Sequence, residues 1–148
     1  MNNVKRHRPL IALVLAAIAA NCGGARSSTE YTAGPDADFR TAATAEVRDA
    51  QDQVVLRGTF AETAAGGEDD VERKALLATA GADADASGEV EVESCRNTGC
   101  RSQEVEFSVV NVQPGARFKF IIDGKEFATV TADSRGRAAV ERDVPLPR

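Results

Sequence analysis

Closely spaced glutamates on two alternating segments are the residues of this chain that could do chemistry. In "GEVEVES", Glu89 and Glu91 alternate with valines, and in "QEVEFSVV", Glu104 and Glu106 do the same. Alternation with a period of two is typical of strands, so two paired strands would place all four carboxylates on one sheet face. Calcium prefers several carboxylate oxygens. These four residues are therefore candidate calcium ligands.

Basic side chains on a neighbouring strand could instead neutralise that face. Two pairs of basic residues could do so: Arg117 with Lys119, or Arg73 with Lys74. Under this alternative the acidic face is solvated and holds no ion.

The segment "DADASGEVEVES", residues 83–94, adds a second indication of calcium. Asp83, Asp85 and Ser87, followed by Gly88, have the spacing of the first half of an EF-hand loop. The twelfth position holds Ser94 instead of the bidentate glutamate, and the following residues alternate as a strand. Aspartate and glycine also form turns without any metal. The sequence leaves both interpretations open.

Two cysteines flank a short run of turn-forming residues in "SCRNTGC". Cys95 and Cys100 lie between the two glutamate-bearing segments, with turn formers at residues 97–99. We predict a structural disulfide at the end of a hairpin, because an exported chain meets an oxidising compartment. If the two cysteines face each other, the register sets Glu91 opposite Glu104. Like charges in that position are destabilising.

The composition restricts the reactions that the mature chain could catalyse. Its one histidine, His7, lies in an N-terminal segment that we predict to be removed. A Ser-His-Asp site, a Cys-His site and a histidine metal ligand are therefore excluded. We predict no catalytic residues, and a carboxylate-based hydrolase is the remaining enzymatic alternative.

Charge excludes a further class of partner. Without residues 1–21 the chain has 15 basic and 23 acidic residues, a formal net charge of −8. Nucleic acids attract cationic proteins, so we predict no nucleic-acid partner. Apart from the calcium alternative, no cofactor is predicted.

The N-terminal segment has the organisation of an export signal. Basic residues at 5–8 precede an apolar run at 10–20, which is too short to span a membrane. This region, ending in "AANC", resembles the signal of bacterial lipoprotein precursors. The resemblance implies a signal peptide at residues 1–21 and a lipid on Cys22. A lipid on Cys22 also accounts for the third cysteine of the chain, which has no partner once Cys95 and Cys100 are paired. Asn21 departs from the small residue usual before the cysteine, and cleavage after Ala19 is the alternative.

The rest of the chain divides into two parts. Residues 22–44 are rich in small and polar residues, which bury too little surface to offset the entropy of ordering, and are predicted to form a flexible tether. Residues 45–148 have the size of one small domain. Alternating segments and turn signals such as Asp123-Gly124 predict seven or eight short antiparallel strands. Residues 69–80 could be strand or helix, and we favour a strand. The predicted fold class is an all-β, immunoglobulin-like β-sandwich.

One turn resembles a known sandwich family. In "NVQPGARFKF", residues 111–120, the positions of Val112, Pro114, Gly115 and Phe118 are similar to the turn before the sixth strand of fibronectin type III domains. The resemblance implies an immunoglobulin-like topology and nothing about ligands.

Together these features predict an exported, lipid-anchored envelope protein with a structural or binding role. It would associate with the membrane through its lipid and with an envelope protein partner through its domain. Gly23 follows the lipidated position where inner-membrane lipoproteins typically carry aspartate, so the resemblance favours the outer membrane. The alternatives are a soluble secreted or periplasmic protein of the same fold, and a calcium-stabilised adhesion-type module.

Overall fold

Alternating apolar and polar residues form strands throughout the described chain. The structure is a computed structural model, which describes residues 28–32, 37–63, 70–81 and 83–147. Its strands, in chain order, are β1 (Thr29–Tyr31), β2 (Thr44–Arg48), β3 (Val54–Thr59), β4 (Ala61–Thr63), β5 (Asp70–Thr79), β6 (Ser87–Cys95), β7 (Ser102–Val110), β8 (Arg117–Ile122), β9 (Lys125–Thr131) and β10 (Ala138–Pro145).

The strands form two antiparallel sheets that share one long strand. The first sheet has the order β1-β9-β8-β2-β3, and the second has the order β4-β5-β6-β7-β10. The start of β5 pairs with β4, and its end pairs with β3 through Leu56 opposite Thr79 and Arg57 opposite Ala78. Nine of the described strands therefore form one continuous path with β1 and β10 at its two ends, and β4 lies off this path, paired with β5.

The all-β, antiparallel prediction is confirmed, with ten strands among the described residues in place of the predicted seven or eight. The two additional strands are β1 and β4, each of only three residues. The ambiguous segment 69–80 contains a strand, β5. Asp123 and Gly124 join β8 to β9 with φ values of 47° and 75°, the left-handed conformations that a two-residue hairpin turn requires.

The prediction of a flexible tether at residues 22–44 is wrong for the part that the structure describes. Residues 29–31 form β1 and pair with β9. Phe39 and Ala42 are buried in the core, with 4% and 1% of their surface exposed. The error has a physical reason: an isolated phenylalanine among small residues gives no periodic signal, yet it fills a site between distant strands. Residues 22–27 and 33–36 of the predicted tether lie outside the described residues.

Phenylalanine rings connect the two sheets. Phe107 of β7 stacks on Phe120 of β8, with ring centroids 4.7 Å apart and an interplanar angle of 16°. Phe127 lies 5.9 Å from Phe107 and meets Phe39 edge-on at 5.8 Å. The strand pairing shifts at this point, so Phe127 is the extra residue of a β-bulge in β9. The bulge brings Phe127 into the same core as Phe107 and Phe120.

One buried amide fixes the residues before β2. Gln103, on the inner side of β7, is 1% exposed. Its side-chain oxygen accepts a hydrogen bond from the backbone N–H of Phe39 (2.8 Å), and its NH₂ group donates to the backbone oxygen of Ala37 (2.6 Å). The buried polar atoms are thus satisfied, which they must be in a water-free core.

The aromatic stack predicts a specific stability effect. Replacing Phe107 by leucine keeps an apolar side chain but removes two ring contacts, so the free energy of unfolding should fall by about 1–3 kcal/mol. Denaturant unfolding measures this change. The control is Leu76→Ala, because Leu76 is 71% exposed and its loss should change stability by less than about 0.5 kcal/mol. Equal effects from the two variants would contradict the proposed role of the stack.

Candidate functional site

Acidic side chains cover the outer side of the second sheet. We call this surface the acidic face and define it by two rows of outward residues on β5, β6, β7 and β10, together with Glu89. In the strand pairing, one row crosses the sheet as Glu72, Glu93, Glu104 and Asp143. The next row is Lys74, Glu91, Glu106 and Glu141, and Glu89 lies beyond it. The face therefore carries eight carboxylates and one lysine.

The apolar inner residues of the same strands put the carboxylates there. Val90, Val92, Val105 and Phe107 are fully buried between the sheets. Side chains alternate along a strand, so the intervening glutamates must face outward. Burial of the apolar side chains thus places the glutamates on the acidic face, even though the carboxylates there repel one another.

Lys74 is the basic side chain within this face. Its Nζ atom lies 3.0 Å from an Oε atom of Glu91 and 3.8 Å from one of Glu89. The hydrogen bond to Glu91, followed by the charges of both glutamates, raises the pKa of Lys74. The lysine therefore stays protonated and neutralises one end of the face.

Of the basic residues predicted to neutralise the face, Lys74 alone does so. Arg73 points to the inner side and donates a hydrogen bond to the backbone oxygen of Ala42. Arg117 and Lys119 lie on β8 of the first sheet, where they contact Glu30 and Asp52. The row from Glu72 to Asp143 is left with repulsion between neighbours.

Glu93 lies between Glu72 and Glu104 in this row. Desolvation by the surrounding chain raises the pKa of its carboxyl group, and the charges of Glu91, Glu104 and Glu72 raise it further. Glu72, Glu91 and Glu93 each have a carboxylate oxygen within 4.8 Å of those of the other two. Among the described residues, this is the group of acidic side chains with the geometry to contact a single cation.

The disulfide hairpin borders an open depression at one end of the acidic face. Cys95 and Cys100 are bonded, as predicted, with their Cα atoms 5.7 Å apart. The depression has a volume of about 610 Å³. Its lining combines the two cysteines with Asp70, Glu72, Glu93, Glu104, Asp143 and Arg101.

The predicted register was wrong by two residues. Glu91 lies opposite Glu106, and Glu93 lies opposite Glu104. Cys100 belongs to the turn between β6 and β7 and is not a cross-strand partner of Cys95, which accounts for the shift. The expectation that glutamate would face glutamate holds, because a slip of two residues keeps the same side chains on the same face.

The residues predicted as calcium ligands are only partly brought together. Glu89, Glu91, Glu104 and Glu106 share the acidic face. Asp83 and Asp85 lie in the exposed loop before β6, and Ser87 begins that strand.

The backbone around Asp83 and Asp85 makes turn contacts. Thr79 donates its hydroxyl to the backbone oxygen of Asp83 (2.9 Å), and the Asn111 amide donates to that of Asp85 (3.2 Å). These contacts fit the alternative of an ordinary turn.

Sequence reasoning missed half of the acidic face. Glu72, Glu93, Glu141 and Asp143 were not among the predicted ligands. Glu93 lies on the same alternating segment as Glu89 and Glu91, and the other three lie on strands whose position in the sheet was unknown. The available signal was the alternation of apolar and charged residues within 70–77 and 138–145, which indicates strands with one charged face. Cys22, the predicted lipidation site, lies outside the described residues.

No family model, curated protein or solved structure matches this chain. Within the described ranges, no helix is long and apolar enough to cross a membrane.

Repulsion at Glu93 predicts a stabilising substitution. The folded state binds a proton at Glu93 more tightly than the unfolded chain does, so stability falls as the pH rises from about 4.3 through the raised folded pKa. Glu93→Gln should therefore raise the free energy of unfolding at pH 7 by about 0.5 kcal/mol, a small value because the group is well solvated. The gain should disappear below about pH 4. Thermal unfolding between pH 3 and pH 8 measures both effects.

The matched control is a variant that should change the free energy of unfolding in the opposite direction. Glu46 accepts a 2.7 Å ion-pair hydrogen bond from Arg48, so Glu46→Gln should destabilise the protein at pH 7. If Glu93→Gln also destabilises it, the carboxylates of the acidic face do not repel one another as described.

Proposed function

We propose that this protein is an exported, lipid-anchored envelope protein with a non-catalytic binding role, and that the acidic face is its binding surface. The anchor is a lipid on Cys22, and the favoured location is the outer membrane. The partner is a positively charged segment of another envelope protein. Export and anchoring rest on residues 1–22, and the binding role rests on the acidic face.

The observation that carries the binding role is the charge of a whole sheet face. Eight carboxylates and one lysine lie on four neighbouring strands. Repulsion within the row that contains Glu93 would be relieved by any partner that brings positive charge. A cationic partner therefore gains electrostatic energy and speed of association. The same charge opposes binding to nucleic acids and to anionic lipids.

The arrangement favours binding over acid–base catalysis. A general acid and a general base must approach a bound substrate at different atoms, with different pKa values. Here the carboxylates project side by side from one sheet face, and the depression beside the disulfide hairpin is wide and open. Such a surface suits many weak contacts with an extended, charged partner.

A calcium-stabilised module is the second candidate. Its specific support is the close approach of Glu72, Glu91 and Glu93, whose carboxylate oxygens lie within 4.8 Å of one another. Calcium accepts several carboxylate oxygens, and exported modules bind it at about 0.1–1 mM.

Intact mass and detergent-phase partitioning test the anchor. In protein purified from its native membrane, we expect partitioning into detergent and a chain that starts at Cys22 with added lipid mass. Cys22→Ala should move the protein to the aqueous phase. An unmodified wild-type chain that starts near Ala20 would instead identify a free exported protein and refute the lipid anchor.

Thermal unfolding with two different cations tests the acidic face. If a basic segment is the partner, a lysine-rich peptide should raise the melting temperature in a salt-sensitive way, because ligands that bind the folded state stabilise it. If calcium is the ligand, about 1 mM calcium should raise the melting temperature and the peptide should not. The variant with Glu72, Glu93 and Glu104 all replaced by glutamine should lose either response.

The control for this titration is the double variant Asp83→Asn with Asp85→Asn. It removes two acidic residues outside the acidic face and should leave the response intact. Loss of the response in this control alone would place the cation at the loop before β6. No shift with either cation would refute the acidic face as a binding surface.

A further inference from the structure

The two edges of the sheet path meet without pairing as strands. Tyr31 of β1 donates its hydroxyl to the backbone oxygen of Glu141 in β10, at 3.0 Å. The guanidinium carbon of Arg142 lies 4.5 Å from the centroid of the same ring. In the part of the chain that the structure describes, β1 pairs with β9 alone. The seam between β1 and β10 is thus bridged by the side chain of Tyr31.

Residues 28–32, which we call the strap, lie on the surface. None of their side chains is buried, and Tyr31 is 46% exposed. Glu30 pairs with Arg117 at 2.9 Å, and Thr32 donates its hydroxyl to Glu126 at 2.9 Å. Solvated contacts of this kind each contribute only about 0–1 kcal/mol.

The backbone of the strap is held to β9 at both of its ends. The N–H of Thr131 donates to the oxygen of Ser28 (2.9 Å), and the N–H of Thr32 donates to the oxygen of Phe127 (3.0 Å). If the strap leaves, water can satisfy these groups because they lie at a sheet edge. Strand β9 itself is also paired with β8 on both sides of the bulge at Phe127.

Among the described residues that follow the strap, Gln103 holds first Ala37, through the backbone oxygen of that residue, and then Phe39. The side chain of Phe39 is buried against Phe127, and its backbone N–H is bonded to the buried Gln103. Release of the strap would remove the edge-on contact of Tyr31 with Phe127, whose ring centroids lie 6.3 Å apart, while the contacts of Phe127 with Phe39 and Phe107 remain. Elements with few buried contacts open at a much lower free energy than the whole domain.

We propose that the strap is a releasable segment that sets how far the domain reaches from its point of attachment. With the strap bound, five residues, 23–27, separate Cys22 from the domain, a span of at most about 17 Å. With the strap released, fourteen residues, 23–36, separate Cys22 from Ala37, a span of at most about 48 Å. The change in reach rests on the lipid anchor proposed above, but the release of the strap does not.

Native-state hydrogen exchange tests the release. It is measured on the full chain carrying Cys22→Ser, which keeps the protein unlipidated and removes the spare thiol. The backbone amides of Thr32 and Thr131 report on the strap, and those of β8, which is paired on both sides, report on the core. The strap amides should exchange at least about 100-fold faster than the β8 amides.

Two variants sharpen the test. Tyr31→Ala should accelerate exchange at Thr32 and Thr131 and leave β8 unchanged. Tyr31→Phe, which keeps the ring beside Arg142 but loses the hydroxyl, should have a smaller effect of the same kind.

A third variant closes the strap. Glu30 and Thr129 are ladder partners of a hydrogen-bonded pair, whose Cα spacing of about 5.5 Å suits a disulfide. Glu30→Cys with Thr129→Cys should slow exchange at the strap amides toward the rates of β8 when oxidised, and the effect should reverse on reduction.

Two results would overturn the proposal. One is exchange at Thr32 and Thr131 as slow as in β8 in the Cys22→Ser chain. The other is equal acceleration of strap and core amides by Tyr31→Ala, which would mean that the strap unfolds only with the domain. Because the protein tested carries no lipid, neither result depends on whether Cys22 is an anchor.

Discussion

Contacts among phenylalanine rings fix the distance and alignment of the two sheets. Phe107 comes from the second sheet, Phe120 and Phe127 come from the first, and Phe39 seals the same cluster from the N-terminal side. Phe127 and its neighbour Ala128 are both buried in the core. In a regular strand their side chains would point to opposite sides of the sheet, so the β-bulge in β9 is needed to bring both to the inner side.

The outer surface of the second sheet is a consequence of that inner packing. A slip of one residue between β6 and β7 would bury glutamates, and a slip of two would separate Val90 from Phe107. The register that satisfies the core also aligns Glu93 with Glu72 and Glu104. The repulsion along that row is therefore tolerated because burial of apolar side chains contributes more free energy than these solvated charges remove.

Local patterns were enough to predict the strands but not the way in which they assemble. Alternation identified β6, β7 and β8, and Asp123-Gly124 identified a hairpin, because both signals act between residues close in sequence. The disulfide followed from cysteine spacing in an exported chain. The strand order, the bulge at Phe127 and the buried site of Phe39 depend on contacts between distant residues, which one sequence does not reveal. The same limit explains why Glu91 was expected to face Glu104 and why Glu72 and Asp143 were not assigned to the acidic face.

The edge strand β10 has a bearing on how molecules of this protein behave when crowded together. An uncovered sheet edge is a template on which another chain can add a strand, and such addition propagates into aggregates. Here the edge carries Glu141, Arg142 and Asp143, and it ends at Pro145, which has no backbone N–H to donate. Two copies that approached edge to edge would bring like charges into register. Together with Tyr31, which bridges from β1 to Glu141, these charges and the proline allow densely packed copies to stay separate molecules.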